Sequence, residues 1–254
     1  MPLFGVALRK ELFQQWRTKR VLIVVAVFAI LGMLSPLLAY FTPQLISSLE
    51  ETQMFADLIP EPTIADSAGQ YLENVSQFGF ILVIILGMAA VVGEKEKGTA
   101  AMILSKPLSR WAFVSSKLLA QSATYLAGLI VAALGAFYYT LFLFESFPAG
   151  GFLLANFLLF VWLMVYVAVT LLGSTLGKST GAAAGLAAVG AIALLLSGAL
   201  PRVGSLAPAG LVTWAGQAML GVAAVPNLGS LVMSAVLILL FLLASVAAFE
   251  QQEL

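Results

Sequence analysis

The 254-residue sequence contains no cysteine and no histidine. The first absence excludes disulfides, thiolate metal sites and cysteine nucleophiles. The second removes the commonest general base, the commonest metal ligand and every triad built on imidazole, which argues against an intramembrane enzyme. Charge is scarce as well: only 9% of residues are Asp, Glu, Lys or Arg, against about a quarter in a soluble domain. The twelve basic and twelve acidic residues cancel, so no overall field points to nucleic acid. What fills the chain is apolar, 61% of residues with a mean hydropathy of +1.05. Such a composition specifies an all-α integral membrane protein, a single domain over residues 1–254.

Six apolar runs are long enough to cross a bilayer as helices: residues 21–41, 77–92, 118–144, 152–176, 181–200 and 229–249. None contains Asp, Glu, Lys or Arg. The first is read as a retained span, because twenty residues precede it and no small-x-small cleavage pattern follows. Eleven of the twelve basic residues fall before span one, between spans two and three, or between spans four and five. The interval 42–76 carries no Lys or Arg but holds Glu50, Glu51, Asp57, Glu61, Asp66 and Glu73. The positive-inside rule therefore predicts both termini in the cytoplasm and an extracytoplasmic loop over 42–76, with a short helix near residues 45–58.

Shorter features refine this plan. In the first twenty residues, Phe4, Leu8, Leu12 and Trp16 recur at every fourth position ahead of a basic cluster, predicting an interfacial elbow helix with that row as its apolar face. Gly173, Gly177, Gly181 and Gly185, continued by Ala183, Ala187 and Ala191, let helix backbones approach closely and predict a span five packed against protein over much of its surface. Residues 201–227 are mostly apolar but interrupted by Gly and Pro, which predicts a re-entrant or interfacial segment before span six. Met33, Met88, Met164, Met219 and Met233 serve as gap fillers rather than as a soft-metal path. Gln121, Tyr125, Tyr138, Tyr139, Asn156 and Tyr166 are read as helix-to-helix hydrogen bonders. No metal or cofactor site is expected in this chain.

The run from Gly173 to Ser179 imitates a phosphate-binding loop, yet three residues separate its glycines where four are required, and no strand precedes it. It reads as a tight turn with one topogenic lysine, and nucleotide must be handled elsewhere.

The densest charge lies in Gly93-Glu94-Lys95-Glu96-Lys97-Gly98-Thr99, followed by Leu104-Ser105-Lys106-Pro107-Leu108-Ser109-Arg110. Gly98 permits a bend, Thr99 to Ser105 suit a short helix, Pro107 disfavours helix in the residue before it, and Ser109 can cap a new helix running through Lys117. At these positions the chain resembles the membrane subunits of ABC-2 type ABC transporters, whose loop between spans two and three reads Gly-Glu-x-Glu-x-Gly-Thr, Leu-Ser-x-Pro-x-Ser-Arg and then Lys. Every one of those positions matches from Gly93 to Lys117. The tail, Phe249 to Leu254, departs from the Arg-containing ending common in that family.

The resemblance implies a permease subunit in a prokaryotic cytoplasmic membrane, paired with a second copy or a related chain and served by two copies of a separately encoded ATPase that binds ATP and Mg. It implies a coupling loop over 93–117, with a coupling helix from Gly98 to Lys106 that docks on the ATPase. The coupling residues carried over are Glu94, Glu96, Gly98, Thr99, Met102, Leu104, Ser105, Lys106, Pro107 and Arg110. Chargeless spans favour hydrophobic or amphiphilic cargo and disfavour an ion-coupled secondary transporter, which needs ionisable groups near the midplane. The alternative within the same family is a transmission subunit that passes motion to an extracytoplasmic accessory protein, as in copper-processing relatives.

Overall fold

The structure, a computed structural model, describes residues 2–48, 61–104, 108–144, 148–201, 203–221 and 225–252. The described residues form ten helices: α1 (Pro2–Arg17), α2 (Arg20–Ser47), α3 (Ile64–Gly87), α4 (Val92–Glu96), α5 (Thr99–Leu104), α6 (Arg110–Phe144), α7 (Ala149–Leu176), α8 (Thr180–Ser197), α9 (Ala209–Met219) and α10 (Leu228–Glu250). Six segments are long and apolar enough to span: α2, α3 with α4, α6, α7, α8 and α10. The six-span plan holds, with helices longer than the apolar runs alone predict except for α8, which has 18 residues. At 1.5 Å per residue the 35-residue α6 is about 52 Å long, so it projects well beyond a hydrocarbon core of about 30 Å.

The interval 42–76 is helical at both ends. α2 continues through Pro43 to Ser47, and α3 begins at Ile64 behind a capping box in which Asp66 accepts from the Thr63 amide at 2.8 Å. Polar side chains that looked too hydrophilic for a span are absorbed by neighbouring helices, as where Ser67 meets Thr140 at 2.9 Å and Asn74 donates to Ser35 at 2.9 Å. The helix expected near residues 45–58 falls largely outside the described residues.

α7 is the central post, packed by α3, α6, α8, α9 and α10. Every residue from Trp162 to Leu171 is buried. α2 and α6 meet along a seam of small residues, where a Cβ on Gly32 would collide with the Ala132 backbone and one on Gly128 would lie 2.8 Å from Val24. In lipid such close approach replaces the hydrophobic effect as the source of helix association.

Three expectations are corrected. The elbow helix α1 exists, but the side it turns to the bundle is the row Ala7, Glu11 and Gln15, while Val6, Phe13 and Trp16 are exposed. An interfacial helix keeps its large apolar side chains for lipid and gives its small and polar ones to protein. Second, α8 is buried only at Ala183, Ala187 and Ala191; it leaves Leu186, Val189, Ile192 and Leu196 exposed and so packs by one narrow row. Third, of the four spaced glycines only Gly173 and Gly177 touch α8, whereas Gly181 and Gly185 face open space. The segment before span six forms α9, an 11-residue helix too short to span. It packs on α7 and α3 through Leu211, Trp214, Ala215 and Met219.

Candidate functional site

The charged island begins where α3 stops. Gly87 ends the helix against Thr170 of α7, whose methyl group would lie 2.7 Å from any Cβ placed there. Breaking the helix frees backbone groups that need partners in a buried place. Ser174 supplies them: the Val91 and Val92 amides donate to its hydroxyl oxygen at 2.9 and 3.2 Å, and the hydroxyl donates to the Met88 carbonyl at 2.6 Å. Ser174 belongs to the false phosphate loop, and Ser179 caps α8 by accepting from Ala182 at 3.2 Å. The motif is a helix-turn-helix corner.

Glu94 then points inward, into a set of four charges drawn from three elements. Its Oε1 lies 2.7 Å from Lys10 Nζ and 2.9 Å from Lys117 Nζ, while Glu11 Oε1 lies 2.7 Å from Lys10 and 3.0 Å from Lys117. The Lys117 side chain is 2% exposed and that of Glu94 9%. Burying such ions costs several kcal/mol each unless they pair, and two acids with two bases cancel. Lys117 also sits 4.8 Å from the Phe113 ring centroid, which stacks on Phe249 of α10 at 4.9 Å. Burial alone would push the Lys10 ammonium down, but the Glu11 and Glu94 carboxylates outweigh it and hold Lys10 above its ordinary value of 10.5.

The neighbours of Glu94 reach other helices. Lys95 donates to the Thr175 and Gly177 carbonyls at the end of α7, at 2.7 and 2.9 Å, and to Gln252 Oε1 at 3.1 Å. Glu96 caps the start of α8, accepting from the Thr180 amide at 2.9 Å and the Thr180 hydroxyl at 2.7 Å; a carboxylate suits the positive end of a helix dipole. Arg110, at the start of α6, donates to the Phe249 carbonyl and, at 3.0 Å each, to those of Glu250 and Gln252. A cation at a helix C-terminus is favourable for the same reason. Gln252 in the tail thus joins Lys95, Arg110 and the Thr175 carbonyl, which it reaches at 2.9 Å, without an arginine in the tail.

The rest of the predicted coupling set lies on or beside α5. Gly98 adopts a left-handed φ of 67° with open space around it, which is the bend expected between α4 and α5. Thr99 donates to the Glu94 carbonyl at 3.1 Å and ties the two short helices together. Ala100 is buried and Met102 is 70% exposed, which makes α5 two-faced. Among the described residues its helix covers Thr99–Leu104, and Ser105, Lys106 and Pro107 of the predicted coupling helix lie outside them. Ser109 caps α6 as expected, accepting from Ala112 at 3.2 Å. Glu94, carried over as a coupling residue, is 7% exposed and turned toward the bundle. Sequence reasoning missed Lys10, Glu11, Ser174, Thr180 and Gln252, and gave Lys117 only as the closing lysine of the motif.

A family model described as ABC-2 family transporter protein matches residues 6–254. The chain belongs to the ABC-2 family. A relative in Bacillus subtilis (strain 168), described as the uncharacterized transmembrane protein YxlG, is 29% identical over 193 residues, covering 72% of each chain. The ABC-2 plan therefore takes in the elbow helix, all six spans and α9. In this ABC-2 permease the loop between spans two and three is fastened to both ends of the sequence, through Glu11 at one and Gln252 at the other.

Proposed function

We propose that the protein is the membrane subunit of an ATP-driven exporter, moved by a separately encoded ATPase that pushes on α5, and that its cargo is hydrophobic or amphiphilic. The observation that carries this reading is the distribution of the island's bonds: Glu94 holds α1 and α6, Lys95 holds α7 and the tail, Glu96 holds α8, and Arg110 holds the end of α10. A displacement of α5, passed through Gly98 and the Thr99 bond to α4, reaches five long helices at once. The exposed Met102 side chain is the apolar knob on which an ATPase groove would close. The clustering of basic residues at this end places it in the cytoplasm by the positive-inside rule, where ATP and Mg are available to the partner. Two permease copies and two ATPases make the working unit, in a bacterial cytoplasmic membrane.

The test is co-purification from native membrane followed by ATP turnover of the assembled complex. Met102→Asp is expected to abolish ATPase recovery while the permease keeps its melting temperature. Glu96→Ala is expected to leave assembly intact and uncouple turnover from cargo. Recovery of no ATPase with the wild-type chain, or full coupling in both variants, would sink the reading.

A further inference from the structure

Between α6 and α7, away from the charged end, lies an open groove of about 530 Å³. Its floor is Leu129 and Phe152, both buried, and Tyr71 of α3 stands behind Phe152 at a ring distance of 5.7 Å. Leu134 and Leu153 form the rims, 66% and 71% exposed. The one polar residue in the wall is Asn156. Its Oδ1 accepts from the Tyr71 hydroxyl at 2.6 Å and its Nδ2 donates to the Phe152 carbonyl at 2.9 Å. The wall is thus set by a buried hydrogen bond and carries only apolar surface to an occupant.

Dimensions decide which occupant fits. The wall runs from Leu126 to Phe137 on α6 and from Ala149, the first residue of α7, to Phe160. Eleven steps of 1.5 Å make it about 16 Å long. That is close to half of a hydrocarbon core of about 30 Å, so the groove starts at one membrane face and stops near the middle. A membrane helix would run the whole core, about twice the length of the groove, whereas one acyl chain occupies a single leaflet. Inside a bilayer the hydrophobic effect does not favour groove over lipid, so shape and dispersion contacts decide, and an unfilled groove would forfeit those contacts.

We propose that this groove is a binding site for one acyl chain of a membrane lipid in the leaflet away from the charged end. The chain lies along Leu129 and Phe152, and the headgroup sits where α7 begins.

The test uses the purified permease in lipid nanodiscs holding a trace of phosphatidylcholine with a photoactivatable group midway along one chain. Peptides carrying residues 126–137 and 149–160 are expected to be labelled at least fivefold more than those of α8 and α10, although these two helices are the less buried ones. Ala133→Phe and, independently, Ile130→Trp fill the groove and are expected to remove that excess while labelling of α8 and α10 stays constant. Uniform labelling of all exposed helices would overturn the proposal, as would disulfide-linked dimers of the Leu134→Cys or Leu153→Cys variants, which mean that a second copy covers the groove. If neither variant folds, the wild-type ratio still decides. No ATPase is needed, so failure here leaves the transport reading untouched.

Discussion

Glu94 and Lys117 lie 2.9 Å apart with both side chains withdrawn from water, 23 positions from one another in sequence. This pair joins the loop between spans two and three to the base of span three. With Glu11 and Lys10 it forms a set of two acids and two bases that share their contacts.

Removing one member leaves an uncompensated buried charge. Glu94→Gln is expected to destabilise the permease by on the order of 3–5 kcal/mol, because Lys117 keeps only Glu11. Glu94→Leu combined with Lys117→Met should recover much of that stability, since an apolar replacement of a buried pair is often neutral. Thermal unfolding in detergent of the three variants checks both halves. Equal loss in single and double variants would show that the pair does not act as a unit.

The Lys10 ammonium gives this set an alkaline limit. A cation whose folded value is raised contributes stability that is full below its unfolded value, here 10.5, and lost as pH climbs through the folded one. The hold of α1 on the bundle should therefore be constant from neutrality to about pH 10 and weaken only above 10.5. Trp16 on α1 reports it: its fluorescence, with the other three tryptophans replaced by Phe, should stay flat to pH 10 and change beyond. A transition near pH 7 would contradict the assignment.

Ser174→Ala removes the hydroxyl that satisfies Val91, Val92 and Met88 at the break between α3 and α4. Buried amides left unpaired cost about 1–3 kcal/mol each. Thermal unfolding should show a loss in that range or above, and Ser174→Thr should recover part of it. Because Ser174 faces no solvent, an unchanged melting temperature would mean that the break rearranges.

Arg110 gathers the carbonyls of Phe249, Glu250 and Gln252 around its Nη1, and a shorter-reaching ammonium in its place has no planar fork to hold that position. Arg110→Ala is expected to speed carboxypeptidase release of the residues after Phe249 at least tenfold, and Arg110→Lys to give an intermediate rate. Equal rates in all three chains would disconnect Arg110 from the tail.

The glycines divide by what surrounds them. Gly32→Ala and Gly151→Ala force a methyl into the backbone of Ala132 and of Ala218, and overpacking of that kind costs about 1–3 kcal/mol or more. Gly185→Ala meets nothing within 4 Å and should be neutral or stabilise α8 by up to about 1 kcal/mol from helix propensity. Melting temperatures of the three variants should fall into two groups.

The spans, the bend at Gly98, the Ser109 cap and the small helix before span six were legible because each has a local cause: apolar length, a left-handed backbone, a side chain three residues from an orphan amide, or Gly and Pro interrupting a run. The partners of the island were not. Lys10, Thr180 and Gln252 stand more than 75 positions from the island residues they bind, with no signal in their own neighbourhoods that names a partner. One signal was available in α1, where Ala7, Glu11 and Gln15 form a small and polar row at helical spacing. In a helix lying at a membrane surface, that row rather than the apolar one marks the protein side. The same inversion explains α8: outside water, exposed leucines carry no penalty, so hydrophobicity cannot tell a lipid face from a packed one.

The two-faced build of α4 and α5 separates duties by position. Glu94, Lys95, Glu96 and Ala100 are committed to this chain, whereas Lys97 and Met102 present themselves outward. If the ATPase docks on α5 as proposed, selection for a different motor subunit acts on a few outward side chains without touching what keeps the bundle closed. Duplicated copies of such a gene can change allegiance in small steps, each leaving a membrane protein that still folds.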